Sequence, residues 1–194
     1  MVFASLTVCK DNTISLKWIP TDDFSHYDDI TIDNLLELRV KIKSVSDNRK
    51  PIRDIGINVE KTKEDHYYTD DNVASWSLDR IGYILEQFGV NLVTTRPDIL
   101  IAFEILRFYV TEGSTYSGDV AFKVSAYSND NRLLWTGVVA GNSRKWGRSF
   151  SSENYLECIC NSFMEATCKL LKNDAFLNAA ENNQAVVPPL ENVD

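Results

Sequence analysis

A chain of 194 residues with 44% hydrophobic and 11% aromatic side chains can bury roughly 70% of its unfolded surface in one core, which excludes the disordered class. Its net charge of -8 opposes docking on nucleic acid or anionic lipid, because both bind through clustered Lys and Arg. No apolar run approaches the roughly 20 residues that a membrane-spanning helix needs.

Met1 to Val8 is a short apolar stretch without a preceding Lys or Arg, so it is not a complete signal peptide as written. Leu6-Thr7-Val8-Cys9 partly matches the site where lipoproteins are cleaved and acylated, with bulky Val8 where a small residue is expected. Cys9 is then either lipidated or an ordinary cysteine in an N-terminal segment, residues 1–12. Residues 13–19 alternate, Ile14, Leu16 and Trp18 against Ser15 and Lys17, which predicts a half-buried strand ended by Pro20. Asp-rich residues 21–33 read as an irregular connection. Leu36, Leu38, Val40 and Ile42 alternate with Glu37, Arg39, Lys41 and Lys43, predicting a second strand with one charged face, closed by turn chemistry at residues 47–51. Ile52, Ile55, Ile57 and Val59 fit a short edge strand or a packed loop.

Asp70 and Asp71 supply N-caps for a helix whose inward face is Val73, Trp76 or Ser77, Ile81, Ile84, Leu85 and Phe88, with Gly89 at its C-terminal cap. Residues 99–110 are apolar on both faces, as in a central strand. Val120, Phe122, Val124 and Ala126 alternate with polar neighbours, and residues 133–140 return as a further strand, so the three form an antiparallel meander. Gly137 marks a bulge or a close approach. A long helix starts at Ser151 or Ser152 and turns Leu156, Ile159, Cys160, Phe163, Ala166, Thr167 and Leu170 inward. The order β-β-α-β-β-β-α gives one α+β domain over residues 13–172, a mostly antiparallel sheet with both amphipathic helices on one face. Residues 173–194 lose apolar density and carry Pro188-Pro189, so an extended or mobile tail is expected.

Cys158, Cys160 and Cys168 share the last helix at spacings that no disulfide can bridge, and Cys160 reads as small core filler. His26 and His66 lie in acidic stretches and read as solvated loop residues. Neither a nucleophile with its base, nor a metal-ligand spacing, nor a phosphate or dinucleotide fingerprint can be assembled, so an enzyme is not expected.

Several short motifs remain: Asp47-Asn48-Arg49 followed by Ile55-Gly56; Arg96-Pro97-Asp98; Glu112-Gly113-Ser114-Thr115-Tyr116; Leu134-Trp135-Thr136-Gly137; and Gly147-Arg148-Ser149 through Asn154-Tyr155. Their order and spacing over roughly residues 14–171 resemble the YajG-like bacterial outer-membrane lipoprotein family. The resemblance implies an envelope protein facing the periplasm, a helix-on-sheet fold, no known cofactor and no established activity. Physically, Asp47 can cap a turn and pair with Arg49, or Arg49 can meet a partner; Gly56, Gly113 and Gly118 fit positive φ or close backbone approach.

Arg144, Lys145, Trp146 and Arg148 are expected in a basic aromatic loop between the last strand and the last helix. Such a loop either receives a carboxylate or glycan or tucks its Trp beneath itself. The functional expectation is a non-catalytic envelope binding or accessory protein with a protein partner. Its alternative is a structural subunit docking by a sheet edge or the C-terminal tail.

Overall fold

The computed structural model of the protein describes residues 12–60, 65–147 and 151–184. Seven strands form one sheet: β1 (Arg39–Asp47), β2 (Asp54–Asn58), β3 (Asp65–Tyr68), β4 (Asn91–Leu92), β5 (Ile99–Glu112), β6 (Thr115–Ser128) and β7 (Leu133–Trp146). The helices are the single turn α1 (Asp33–Leu36), α2 (Val73–Gln87), α3 (Ser152–Leu171) and α4 (Asp174–Gln184), with a 3-10 turn at Phe24–Tyr27.

β5 is the axis of the sheet, as its two apolar faces foretell. One edge pairs antiparallel with β6 along almost its whole length, and β6 pairs antiparallel with β7. The other edge is shared by two strands in tandem: β1 runs parallel beside Ile99–Ile105, and β2 runs parallel beside Val110–Glu112. β3 pairs antiparallel with β2, and β4 parallel with β1. The sheet is therefore mixed, not mostly antiparallel. Parallel pairing arises because the long excursion through β3 and α2 returns the chain to β1 in its original direction, a connection that the apolar alternation of each strand does not encode. β2 is also interior, between β3 and β5, rather than an edge strand.

All three longer helices pack on one face. Trp76 of α2 meets Phe108, Phe163 of α3 meets Phe122, and Phe176 of α4 meets Trp135, with ring centroids 5.1–5.7 Å apart. Phe163 also touches Trp76 at 5.2 Å, joining α2 to α3 over the sheet. Fully burying one such ring stabilises the fold by about 2–3 kcal/mol.

Outside the β5–β6–β7 meander, four boundaries differ from the sequence reading. Residues 13–19 are not a strand but a strap that joins the sheet only at the bridge Thr13–Tyr68. Its later backbone donors go to side chains: Leu16 N–H to Asp71, Ile19 N–H to Cys160 Sγ, Thr21 N–H to Asn161. Its alternation records packing of Trp18 against Trp76, Tyr83 and Phe163 on the helices. Second, Leu36 ends α1 and is 48% exposed, and the strand begins at Arg39. Third, the cap of α2 is Asn72, which accepts from Ser75 N–H; Asp71 is instead held by the strap. Fourth, residues 174–184 are helical rather than a tail. Phe176 and Ala180, four residues apart, suffice to bury one face of α4 against β7 and α1 despite the low overall apolar density. Cys9, Arg148 and residues 185–194 lie outside the described residues.

Candidate functional site

The helix-free face of the sheet can be drawn row by row from the strand register. Ser44, Ala102, Ser125 and Thr136 form one row, and the Ser125 and Thr136 hydroxyls lie 3.1 Å apart. The next is Ser46, Glu104, Lys123 and Val138, with Lys123 Nζ 3.9 Å from Glu104. Then come Arg107, Ala121 and Ala140; Tyr109, Asp119 and Asn142; Thr111, Ser117 and Arg144; and at the end Thr115 and Trp146. Arg107 bonds Asp119 at 2.9 Å, and Lys43 Nζ stands 4.4 Å over the Tyr127 ring at the opposite end. Small residues alternate with charged ones across the face, with the Arg107–Asp119 and Glu104–Lys123 pairs on its central strands and Lys43 and Arg144 toward its two ends.

β7 continues to Trp146, so the expected recognition loop is largely strand. Period-2 alternation divides its residues. Arg144 and Trp146 point to the open face, where Trp146 is 76% exposed. Lys145 turns the other way and pairs with Glu157 of α3. The structure thus keeps Arg144 and Trp146 together as a surface pair and removes Lys145 from it. Sequence reasoning missed Lys43, Arg107 and Lys123. The alternation of each strand was readable, but only the register, and for Lys43 its contact with Tyr127, shows that these cations share a face with Arg144.

The remaining motif residues come together in two places. Asp47 and Arg49 are buried, with side chains 7% and 8% exposed, and form a bidentate pair at 2.7 and 2.8 Å. Arg49 also donates to the carbonyls of Ile52, Asp54 and Phe108 at 2.8–3.2 Å, which engages every guanidinium N–H. It fills the interval on the β5 edge between β1 and β2, where the ladder has no strand to offer. The Asp47–Arg49 motif is therefore a fold device. Cavities of about 320 Å³ and 540 Å³ lie on the two sides of residues 49–51; the smaller opens on the sheet face between Lys50, Arg107 and Tyr109.

The second place is the far end of β5. Glu112, buried, accepts from Tyr116 Oη at 2.6 Å and Tyr155 Oη at 2.7 Å, and Tyr67 packs on Tyr155 with centroids 4.3 Å apart. Burial pushes both phenols above their ordinary value, and the bond to the Glu112 carboxylate pushes them further. Gly56 is required beside them, since a Cβ there would lie 2.5 Å from the Tyr155 ring and 2.8 Å from Val110 O. Gly118 meets the same limit 2.6 Å from Cys158 O, whereas Gly113 has ordinary room and Ser114 is exposed. Asn154 and Gly147 adjoin this cluster, with the Asn154 amide 3.0 Å from where a Gly147 Cβ would stand.

His66 lies in β3 rather than in a loop, its Nδ1 2.8 Å from Asp54 Oδ2, while His26 sits beside Asp23 in the 3-10 turn. Burial raises the thiols of Cys158, Cys160 and Cys168, the last two to about 12.

No family model matches the sequence, and no curated protein matches it. Among solved structures, protein XCC0632 from Xanthomonas campestris, described with the family model DUF330, is similar at a TM-score of 0.59 with 11% identity. The match covers 89% of this chain and 97% of that one. An uncharacterised protein is similar at a TM-score of 0.50 with 4% identity, over 74% of this chain and 94% of that one. At these identities the likeness is one of fold.

Proposed function

We propose that this chain is a non-catalytic, YajG-like component of a bacterial cell envelope that faces the periplasm and acts by binding a protein through its open sheet face. The observation that carries this reading is the pair Arg144 and Trp146. A Trp left 76% exposed beside an exposed Arg, at the end of a sheet face that no helix among the described residues covers, supplies the residue types that anchor interfaces. The family assignment is supported by the ordered motifs, several of which meet in the Arg49 bracket and the Glu112 cluster.

A photo-crosslinking residue at position 146, used in envelope fractions, should give one dominant adduct. Arg144→Glu in the same protein should reduce the adduct several-fold, and added salt should mimic that loss. A diffuse ladder insensitive to both would move the functional surface elsewhere.

A second reading, a structural subunit joined through a sheet edge, is favoured by β7. Along this 14-residue edge strand, side chains of α3 occupy two outward backbone groups: Lys169 donates to Ala140 O, and Glu165 accepts from Asn142 N–H. The rest of the edge is suited to strand addition.

A further inference from the structure

We propose that the partner of the open sheet face is a second copy of this chain, met head to tail through the outer face of its α2. The inference rests on the reading of the sheet face as a binding surface and names its occupant.

Charge is divided between the two sides of the molecule. On the open face Lys43, Arg107, Lys123 and Arg144 stand against Glu104 and Asp119, a cationic excess in a chain whose net charge is -8. The acids that outweigh it lie elsewhere, and some of them stand on the helical side. On α2, Asp79, Tyr83 and Glu86 recur at i, i+4 and i+7, and all are exposed together with Leu78. The 3-10 turn packs against this helix through Phe24, which contacts Tyr83 and Phe88, and brings exposed Asp23 and Asp28 alongside. The outer face of α2 is thus acidic with two apolar residues, Leu78 and Tyr83. The sheet face is basic with its own two, Val138 at 61% exposed and Trp146.

Each surface supplies what the other lacks, in sign and in apolar character, and every copy bears both at equal concentration. Because the two surfaces are different and lie on opposite sides of the sheet, the contact is heterologous. It propagates from copy to copy unless a ring closes.

The test is sedimentation velocity of the full chain and two variants, Lys43→Glu with Arg144→Glu on the sheet face and Asp79→Lys with Glu86→Lys on α2. All four sites are exposed, and unchanged melting curves verify the folds. The wild type should form species larger than a monomer at low ionic strength and dissociate as salt rises, since exposed charge pairs are screened over about 10 Å at 0.1 M. Each variant alone should weaken association at least about tenfold. Mixed at equal amounts, the two should associate although neither does so alone, because the intact sheet face of one meets the intact α2 face of the other and the two reversed faces are again opposite in charge.

A wild type that is monomeric at low salt, a sheet-face variant that still associates, or a mixture that fails to pair would each overturn the proposal. A monomeric wild type that still gives the position-146 adduct would leave the sheet face as a binding surface for another protein. Loss of both would remove that reading as well.

Discussion

Arg49 is the residue on which the parallel half of the sheet depends. Between Asp47 and Asp54 the β5 edge has no neighbouring strand, and the carbonyls of Ile52, Asp54 and Phe108 would be left without donors. The guanidinium supplies them and is itself neutralised by Asp47. Removing one partner of a buried pair leaves the other charged and uncompensated, which costs far more than the net value of the pair. Arg49→Met should therefore lower stability by about 3–5 kcal/mol in denaturant melts. Replacing Asp47 by Asn as well should recover part of that loss, because the stranded carboxylate is then gone. A single variant within about 1 kcal/mol of wild type would show that water replaces the guanidinium. The sequence made this pair visible as two residues separated by one, but not its three carbonyls, which belong to a loop and to a strand distant in the chain.

Elements were legible where periodicity and burial coincide. α2, α3 and the β5–β6–β7 meander bury the faces that their sequences single out, and Ser151 caps α3 as its position before Glu153 suggests. The strap failed that test because alternation reports burial on one side, not what does the burying. Ile14, Leu16 and Trp18 alternate as a strand would, yet Trp18 lies on the helices and Cys160 takes part in holding the backbone. Its thiol donates to Lys17 O at 3.3 Å and accepts from Ile19 N–H at 3.4 Å. α4 failed for the opposite reason, since two well-placed apolar residues are too few to register in a window. The strap yields a measurable consequence. Cys160, raised to about 12 by burial, should resist thiol reagents at pH 8 in the native protein. Trp18→Ala removes the ring that docks the strap. If that costs about 2 kcal/mol of local stability, Cys160 labelling should rise about 30-fold under conditions where the fold is intact. An unchanged rate, read by mass spectrometry of the modified peptide, would mean that global unfolding alone exposes Cys160.

At the scale of the whole molecule, the two ends of β5 are held differently. Its first half lies between β1 and β6, paired on both sides, with one extra residue of β1, Lys43, bulging between the Ile42–Ile101 and Ser44–Ala102 pairs. Its last residues lie between short β2 and β6 and depend on the cluster around Glu112, where Tyr67 of β3, Tyr116 of β6 and Tyr155 of α3 converge. That cluster ties the helical layer, the meander and the edge hairpin at one point, so it cannot loosen without separating all three. Its protonation is accordingly linked to global folding. The phenols of Tyr116 and Tyr155 are raised above the ordinary 10.0, first by burial and then by the hydrogen bond to Glu112. A folded-state value above the unfolded one means that the native protein keeps both protons while the unfolded chain releases them. The stability so carried is complete below pH 10 and declines as pH rises beyond it. In an alkaline titration, absorbance of ordinary tyrosinates should appear near pH 10. A later step from Tyr116 and Tyr155, joined by Tyr27, whose phenol burial also raises, should coincide with loss of the far-ultraviolet helical signal. Tyr155→Phe should reduce that second step and, by leaving one Glu112 oxygen without its donor, lower stability at neutral pH by about 1–3 kcal/mol. A single tyrosinate transition complete before any helical signal is lost would show that the cluster opens to solvent without unfolding the domain.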